Sequence, residues 1–225
     1  MATLKVGVLI SGRGSNLRAL IDGCAGGRIP AEIVLVISNR PEAAGLDHAR
    51  RANIPTRIID HRQFADRATF DTAMTDALRA AGVELLCLAG FMRLLSPGFV
   101  ATWRNRMINI HPSLLPAFAG LHTHERALQA GCKVAGSTVH FVTAELDHGP
   151  IVLQAAVPVR VGDTADTLAA RVLRGEHIIY PRAVRWFVEG RVALGADGVV
   201  RQTEAAPQWL FLDGDGDGDD TDATR

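Results

Sequence analysis

The chain has 225 residues, 48% of them hydrophobic, and 24 Lys plus Arg balance 24 Asp plus Glu. That length suits one domain, or two small lobes on a shared core, and the apolar fraction is ample to build it. The balanced charge excludes a broad cationic face for nucleic acid, so an anionic ligand needs a local site. Cys24, Cys87 and Cys132 are widely spaced and form no CxxC pair, which supports neither a disulfide framework nor a structural zinc site. Cys87 lies in an apolar run and reads as a small buried hydrophobe. The opening MATLKVGVLISGRG meets glycines too soon for a secretory signal. No apolar run reaches the ~18 residues of a membrane span. The expectation is a soluble cytoplasmic protein with no nucleic-acid or membrane partner.

In chain order, residues 6–10 form an apolar, β-branched run predicted as a buried strand. Ser11-Gly12-Arg13-Gly14-Ser15-Asn16 breaks it, and Leu17, Leu20 and Ile21 follow at helical spacing, with Ser15 or Asn16 available as the cap. Residues 33–37 predict a second strand, 41–52 a helix, 56–59 a short strand, 64–81 a long helix stopped by Gly82, and 85–89 a strand ending at Gly90. Strands alternating with helices predict a Rossmann-like α/β fold: an open, twisted, mostly parallel sheet with helices on both faces. In the second half, residues 107–110 form a strand running into His111-Pro112, and 123–130 a short helix. Residues 134–142 and 151–159 read as an antiparallel portion, and 164–188 as a helical region with breaks at Gly175 and Pro181. Residues 192–194 and 199–200 flank Gly195-Ala196-Asp197-Gly198 as a small hairpin.

The domain reading is a single unit over residues 1–200, with an anion-binding half (1–100) and a catalytic half (101–200), then an extension over 201–212. Residues 213–225 form an Asp/Gly-rich tail too polar to order itself. Asp213, Asp215 and Asp217 copy the start of a calcium loop, but no glutamate stands at its twelfth position.

The glycine loop joins conformational freedom to the free N–H groups and positive dipole end of a helix, which favours an anion. Its spacing fits neither the dinucleotide fingerprint nor a P-loop, so a phosphate monoester is the ligand class; a tight turn serving only the fold is the alternative. Asn109 and His111 are two apart at a strand end and share a face. Asp147, in the polar run Glu145 to Pro150 between apolar strands, is placed to reach an imidazole. Together they make an acyl-transfer set. Asn109 and a protonated His111 donate to a carbonyl oxygen that becomes negative, and Asp147 keeps His111 protonated and takes the proton of an attacking amine through water. A satisfied structural histidine and a turn aspartate are the plain alternatives. His122 and His124 alternate as zinc ligands would, but no convergent carboxylate spacing or H-E-x-x-H accompanies them, so no metal is expected.

At these residues the chain resembles the phosphoribosylglycinamide formyltransferase family. The resemblance is carried by Gly12-Arg13-Gly14-Ser15-Asn16-Leu17, Leu88 through Leu95, Asn109 through Pro116, Gly120 through His124, Gly136 through Val142, Asp147 through Pro150, and Glu176 through Pro181. It implies formyl transfer from 10-formyltetrahydrofolate to the amine of glycinamide ribonucleotide. It also implies small-molecule substrates only and a monomer or homodimer. It assigns Gly14, Ser15 and Asn16 to the substrate phosphate, with Arg67 nearby, and Glu176 to the substrate's amine end. Asn109, His111 and Asp147 become the catalytic trio. Met92, Arg93, Leu94 and Leu95, with the loop Ala144 to Asp147 that includes Glu145, become walls of the folate pocket, and His140 a support near His111. A cis bond before Pro116 is implied too. The alternatives are a formyltetrahydrofolate hydrolase and a non-catalytic nucleotide-binding domain. Hydrolases of this kind carry an added N-terminal domain, for which the start of the first strand by Leu4 leaves no expectation. A tRNA-formylating relative would need an added C-terminal domain and a basic surface.

Overall fold

The structure is a computed structural model that describes residues 3–213. The expected disordered tail beyond Asp213 and its calcium-like repeat lie outside the described residues. The parallel strands are β1 (Leu4–Ile10), β2 (Ala31–Ser38), β3 (Thr56–Ile58), β4 (Leu85–Leu88) and β5 (Met107–His111). Strand β6 (Val134–Phe141) runs antiparallel to β5 and to β7 (Ile151–Pro158), and β10 (Trp209–Phe211) lies parallel to β7 at the edge. The eight-stranded sheet has the order β10-β7-β6-β5-β4-β1-β2-β3. A separate hairpin joins β8 (Val192–Leu194) to β9 (Val200–Gln202). The Rossmann-like reading and the antiparallel C-terminal portion are both present.

Helices cover the sheet because its strands are apolar on both faces. Alternate residues of β1 point opposite ways. Val6, Val8 and Ile10 enter one core with Leu17 and Leu20 of α1 (Ser15–Ala25) and Tyr180 and Trp186 of α6 (Ala165–Val188). Leu9 enters the other with Phe70, Met74 and Leu78 of α3 (Arg67–Ala80) and Phe99 of α4 (Pro97–Thr102). Gly7 shares Leu9's face, and a Cβ there would meet Leu78 Cδ2 at 2.9 Å, so its bareness lets α3 close on the sheet. Two shorter helices, α2 (Gly45–Arg51) and α5 (Thr123–Gln129), complete the set.

The structure corrects several expected boundaries. Helix α6 runs unbroken through Gly175 and Pro181. A proline inside a helix costs about 3 kcal/mol, but the neighbouring Ile179, Tyr180, Ala183, Val184 and Trp186 are all fully buried, and that packing outweighs it. Gly175 sits against β7, where a Cβ would come 3.0 Å from Ala155 Cβ. Helix α2 starts at Gly45 rather than Pro41 because Gly45 N donates to Gly12 O at 2.9 Å, tying residues before it into a turn against the glycine loop. The extension at 201–212 holds β10, an element not assigned from the sequence; at three residues it is too short for a periodic signal.

Candidate active site

The loops that follow β1, β4 and β5 meet at the carboxyl ends of the strands, where open α/β sheets hold their ligands. After β1, Gly14 takes a left-handed φ of 73° as the N-cap of α1, with no side-chain cap. That corrects the expectation that Ser15 or Asn16 caps the helix. A Cβ on Gly14 would lie 2.5 Å from Gly45 Cα, so the loop depends on two glycines meeting. The first-turn N–H groups of α1 are left free for an anion. Asn16 turns away, and its Nδ2 donates to Glu176 Oε2 at 2.6 Å, joining two predicted substrate residues 160 positions apart. Glu176 is buried, and that burial raises its carboxyl pKa above the ordinary value, partly offset by the Asn16 hydrogen bond. Arg67 stands exposed at the first position of α3, and its side chain makes no hydrogen bond among the described residues.

The predicted trio converges. Asn109 and His111 lie on one face of β5, opposite His140 and Thr138 of β6 in the antiparallel register. His111 is 6% exposed, and its Nδ1 lies 3.4 Å from Asp147 Oδ2 while its Nε2 lies 3.1 Å from Phe118 O. Both ring nitrogens therefore face acceptors, the donor pattern of an imidazolium. Asp147 holds a left-handed φ of 55°, a conformation aspartate tolerates better than most residues. Its Oδ2 also accepts from Gly120 N at 2.8 Å, and its Oδ1 is 3.8 Å from His140 Nε2. His140 is 2% exposed, and its Nδ1 faces Phe141 O at 2.9 Å. Burial lowers its pKa, with the Phe141 carbonyl and Asp147 opposing. In the neutral ring Nδ1 carries the proton, so Nε2 accepts from Asn109 Nδ2 at 3.2 Å. That bond fixes which way the Asn109 amide points and leaves its second N–H available.

A cavity of about 800 Å³ opens beside the trio and is lined by Asn109, His111, His140 and Asp147. One wall is Met92, Arg93, Leu94 and Leu95; the other includes Ala144, Glu145 and Leu146. Met92, Leu94, Leu121 and Leu146 are more than half exposed although apolar, so the cavity presents a sticky mouth to a flat hydrophobic ligand. The glycine loop does not line it but adjoins it: Ser11 N donates to Gly90 O at 3.2 Å, and Gly90 is a lining residue.

A family described as formyl transferase matches residues 4–184, a span holding every residue named above as a site candidate. The chain is 46% identical over 191 residues to the phosphoribosylglycinamide formyltransferase of Escherichia coli, covering 85% of this chain and 90% of that protein. The chain belongs to the phosphoribosylglycinamide formyltransferase family. The glycinamide ribonucleotide transformylase 1 of Symbiobacterium toebii superposes with a TM-score of 0.87 at 52% identity, over 89% of this chain and 94% of that one. The chain is also 52% identical over 194 residues to a trifunctional purine biosynthetic protein of Bos taurus; this covers 86% of the chain but 19% of that protein. It thus spans 14–20% of the length of the trifunctional relatives it matches.

Sequence reasoning missed the groups that hold the trio. Phe118 O and Gly120 N are backbone atoms and leave no residue signature. Thr138 accepts from Leu115 N and donates to Ser113 O, while Gln154 donates to Thr138 Oγ1 and Leu115 O. This buried network braces the loop after His111, which contains the cis Leu115–Pro116 bond. Its signal was the presence of polar Thr138 and Gln154 inside apolar strands, where an unpaired group is costly. His122 is exposed, 3.7 Å from Glu125, and His124 is half-buried with a pKa lowered by burial. Among the described residues no three His, Cys, Asp or Glu side chains gather as a metal site, and no helix is long and apolar enough to cross a membrane.

Proposed function

We propose that this chain transfers the formyl group of 10-formyltetrahydrofolate to the amine of glycinamide ribonucleotide, giving formylglycinamide ribonucleotide and tetrahydrofolate. The observation that carries the reading is the convergence of Asn109, His111 and Asp147 at the end of a mostly apolar cavity, beside a helix N-terminus suited to phosphate. The folate ring occupies the cavity between residues 92–95 and 144–147. The nucleotide phosphate rests on Gly14, Ser15 and Asn16, with Arg67 approaching it, and Glu176 receives the substrate's polar end. Both substrates thus meet at the trio.

The amine attacks the formyl carbon directly, and no side-chain nucleophile is required. As the C–N bond forms, the carbonyl oxygen gains negative charge. Asn109 Nδ2 offers it the N–H that His140 does not use. His111 Nε2, which rests on the neutral Phe118 carbonyl, gains a stronger partner in that oxyanion, because an imidazolium N–H is drawn more strongly to a full negative charge than to a carbonyl dipole. The interaction thus grows toward the transition state, which is where it accelerates the reaction. Asp147 stabilises the imidazolium and accepts, through water, the proton shed by the amine. Collapse of the intermediate re-forms the carbonyl and breaks the bond to folate nitrogen, which takes up, through the same water, the proton that Asp147 received from the amine.

The test is to incubate the pure protein with both substrates and quantify formylated nucleotide and free formate separately. Formylated nucleotide in step with tetrahydrofolate, without formate, is the expected result. Formate alone would make the protein a hydrolase, and neither product would leave a non-catalytic nucleotide-binding domain.

A further inference from the structure

The cavity wall at residues 92–95 has no regular secondary structure, and its shape must be imposed from outside. From Arg93 to Leu95 the backbone makes no hydrogen bond among the described residues, so these N–H and C=O groups are available to a ligand in the cavity. The segment is tied at its two ends by side chains from elsewhere. At the first end, Met92 N donates to Ser11 Oγ at 2.8 Å, and Ser11 Oγ in turn donates to Asn39 Oδ1 at 2.6 Å. At the second, Ser96 N donates to Asp71 Oδ2 at 2.6 Å. Ser96 then caps α4 by accepting from Phe99 N, which makes Ser96 the fixed point between wall and helix.

Asp71 is the unusual partner. It sits in the second turn of α3, is 2% exposed, and belongs to neither the trio nor the phosphate loop. Its other oxygen, Oδ1, is buried without a hydrogen-bond partner among the described residues. A carboxylate so placed costs free energy that one short bond only partly repays. Packing of α3 alone would be served as well by an apolar residue; what the carboxylate adds is the acceptor for Ser96 N. We propose that Asp71 is a positioning residue for the folate co-substrate. Its carboxylate sets the register of the 92–95 backbone, and thereby of the groups that read the edge of the folate ring, without touching the ligand. This rests on the reading of the cavity as the folate site.

The experiment compares Asp71→Ala and Asp71→Asn with the wild-type enzyme in steady-state kinetics, each substrate varied with the other saturating, together with equilibrium titration by tetrahydrofolate. Asp71→Ala removes an ionic acceptor, so KM for 10-formyltetrahydrofolate and the tetrahydrofolate Kd should rise about tenfold or more, while KM for glycinamide ribonucleotide stays as in wild type. Asp71→Asn keeps an oxygen for the Ser96 N–H but loses its charge, so it should show the same folate-only rise at about two- to threefold, which carries the test if the alanine variant does not fold. Equal rises for both substrates, no rise for folate, or an asparagine variant as impaired as alanine would overturn the assignment. Wild-type protein that binds no tetrahydrofolate would instead fail the cavity reading itself.

Discussion

Glu176 shows how a single residue can trade stability for binding. Burial raises its carboxyl pKa, with Asn16 opposing. A carboxylate whose folded-state value is raised gives its full stability below the unfolded value, about 4.5, and loses it as pH rises through the folded value. As pH rises from that unfolded value towards neutral, burying this group therefore becomes a burden. Glu176→Gln keeps an oxygen for the Asn16 amide and removes that burden. It should raise Tm at pH 7 but not at pH 4, by about 2–4 °C for each kcal/mol recovered, while weakening nucleotide binding. Thermal scans at the two pH values check this; an equal Tm shift at both would remove ionisation as the cause. His140 has the opposite sign. Burial lowers its pKa, so the neutral ring that accepts from Asn109 persists below the ordinary imidazole value and is lost only as pH falls further.

At the scale of elements, the trio depends on how β6 ends. His140 donates to Phe141 O, and the chain then loops through Asp147 and returns at Gly149, where a Cβ would lie 1.6 Å from that same Phe141 oxygen. The close approach sets the distance between the His140 strand and the Asp147 loop, and only glycine permits it. Gly149→Ala must push these backbones apart. It should cost about 1–3 kcal/mol, the usual range for overpacking, and should lower turnover as well, because Asp147 moves with the loop. Urea denaturation followed at constant m-value checks the first part; an unchanged midpoint would show that the contact relaxes freely. The same scale explains which elements were legible. Strands β1, β2 and β4 were readable because both faces are apolar, β5 because its apolar start runs into His111-Pro112, and α1 because a glycine loop precedes its periodic leucines. Helix α4 escaped notice although Ser96 and Pro97 form a proper start, because six residues give too little periodicity. The breaks expected in α6 followed local propensity, which tertiary packing of Tyr180 and Trp186 overrode.

For the whole molecule, the sheet brings together residues that the sequence keeps apart. That Asn109 and His111 share a face was legible from their two-residue spacing. That Asp147 reaches His111 depends on the β5–β6 register and on a left-handed aspartate, and spacing alone supplies neither. The Asn16–Glu176 bond, the Gly14–Gly45 contact and the Ser96–Asp71 anchor each join distant segments and could be known only from the fold. The central claim is that this assembled trio acts on one carbonyl. Its most direct test is the single-turnover rate of formyl transfer by Asp147→Asn, with both substrates saturating and their binding measured in parallel. The account predicts a rate lower by about 10²–10³, the range for losing one preorganised electrostatic group, with both substrates still bound. An Asp147→Asn enzyme that turns over at the wild-type rate would contradict it.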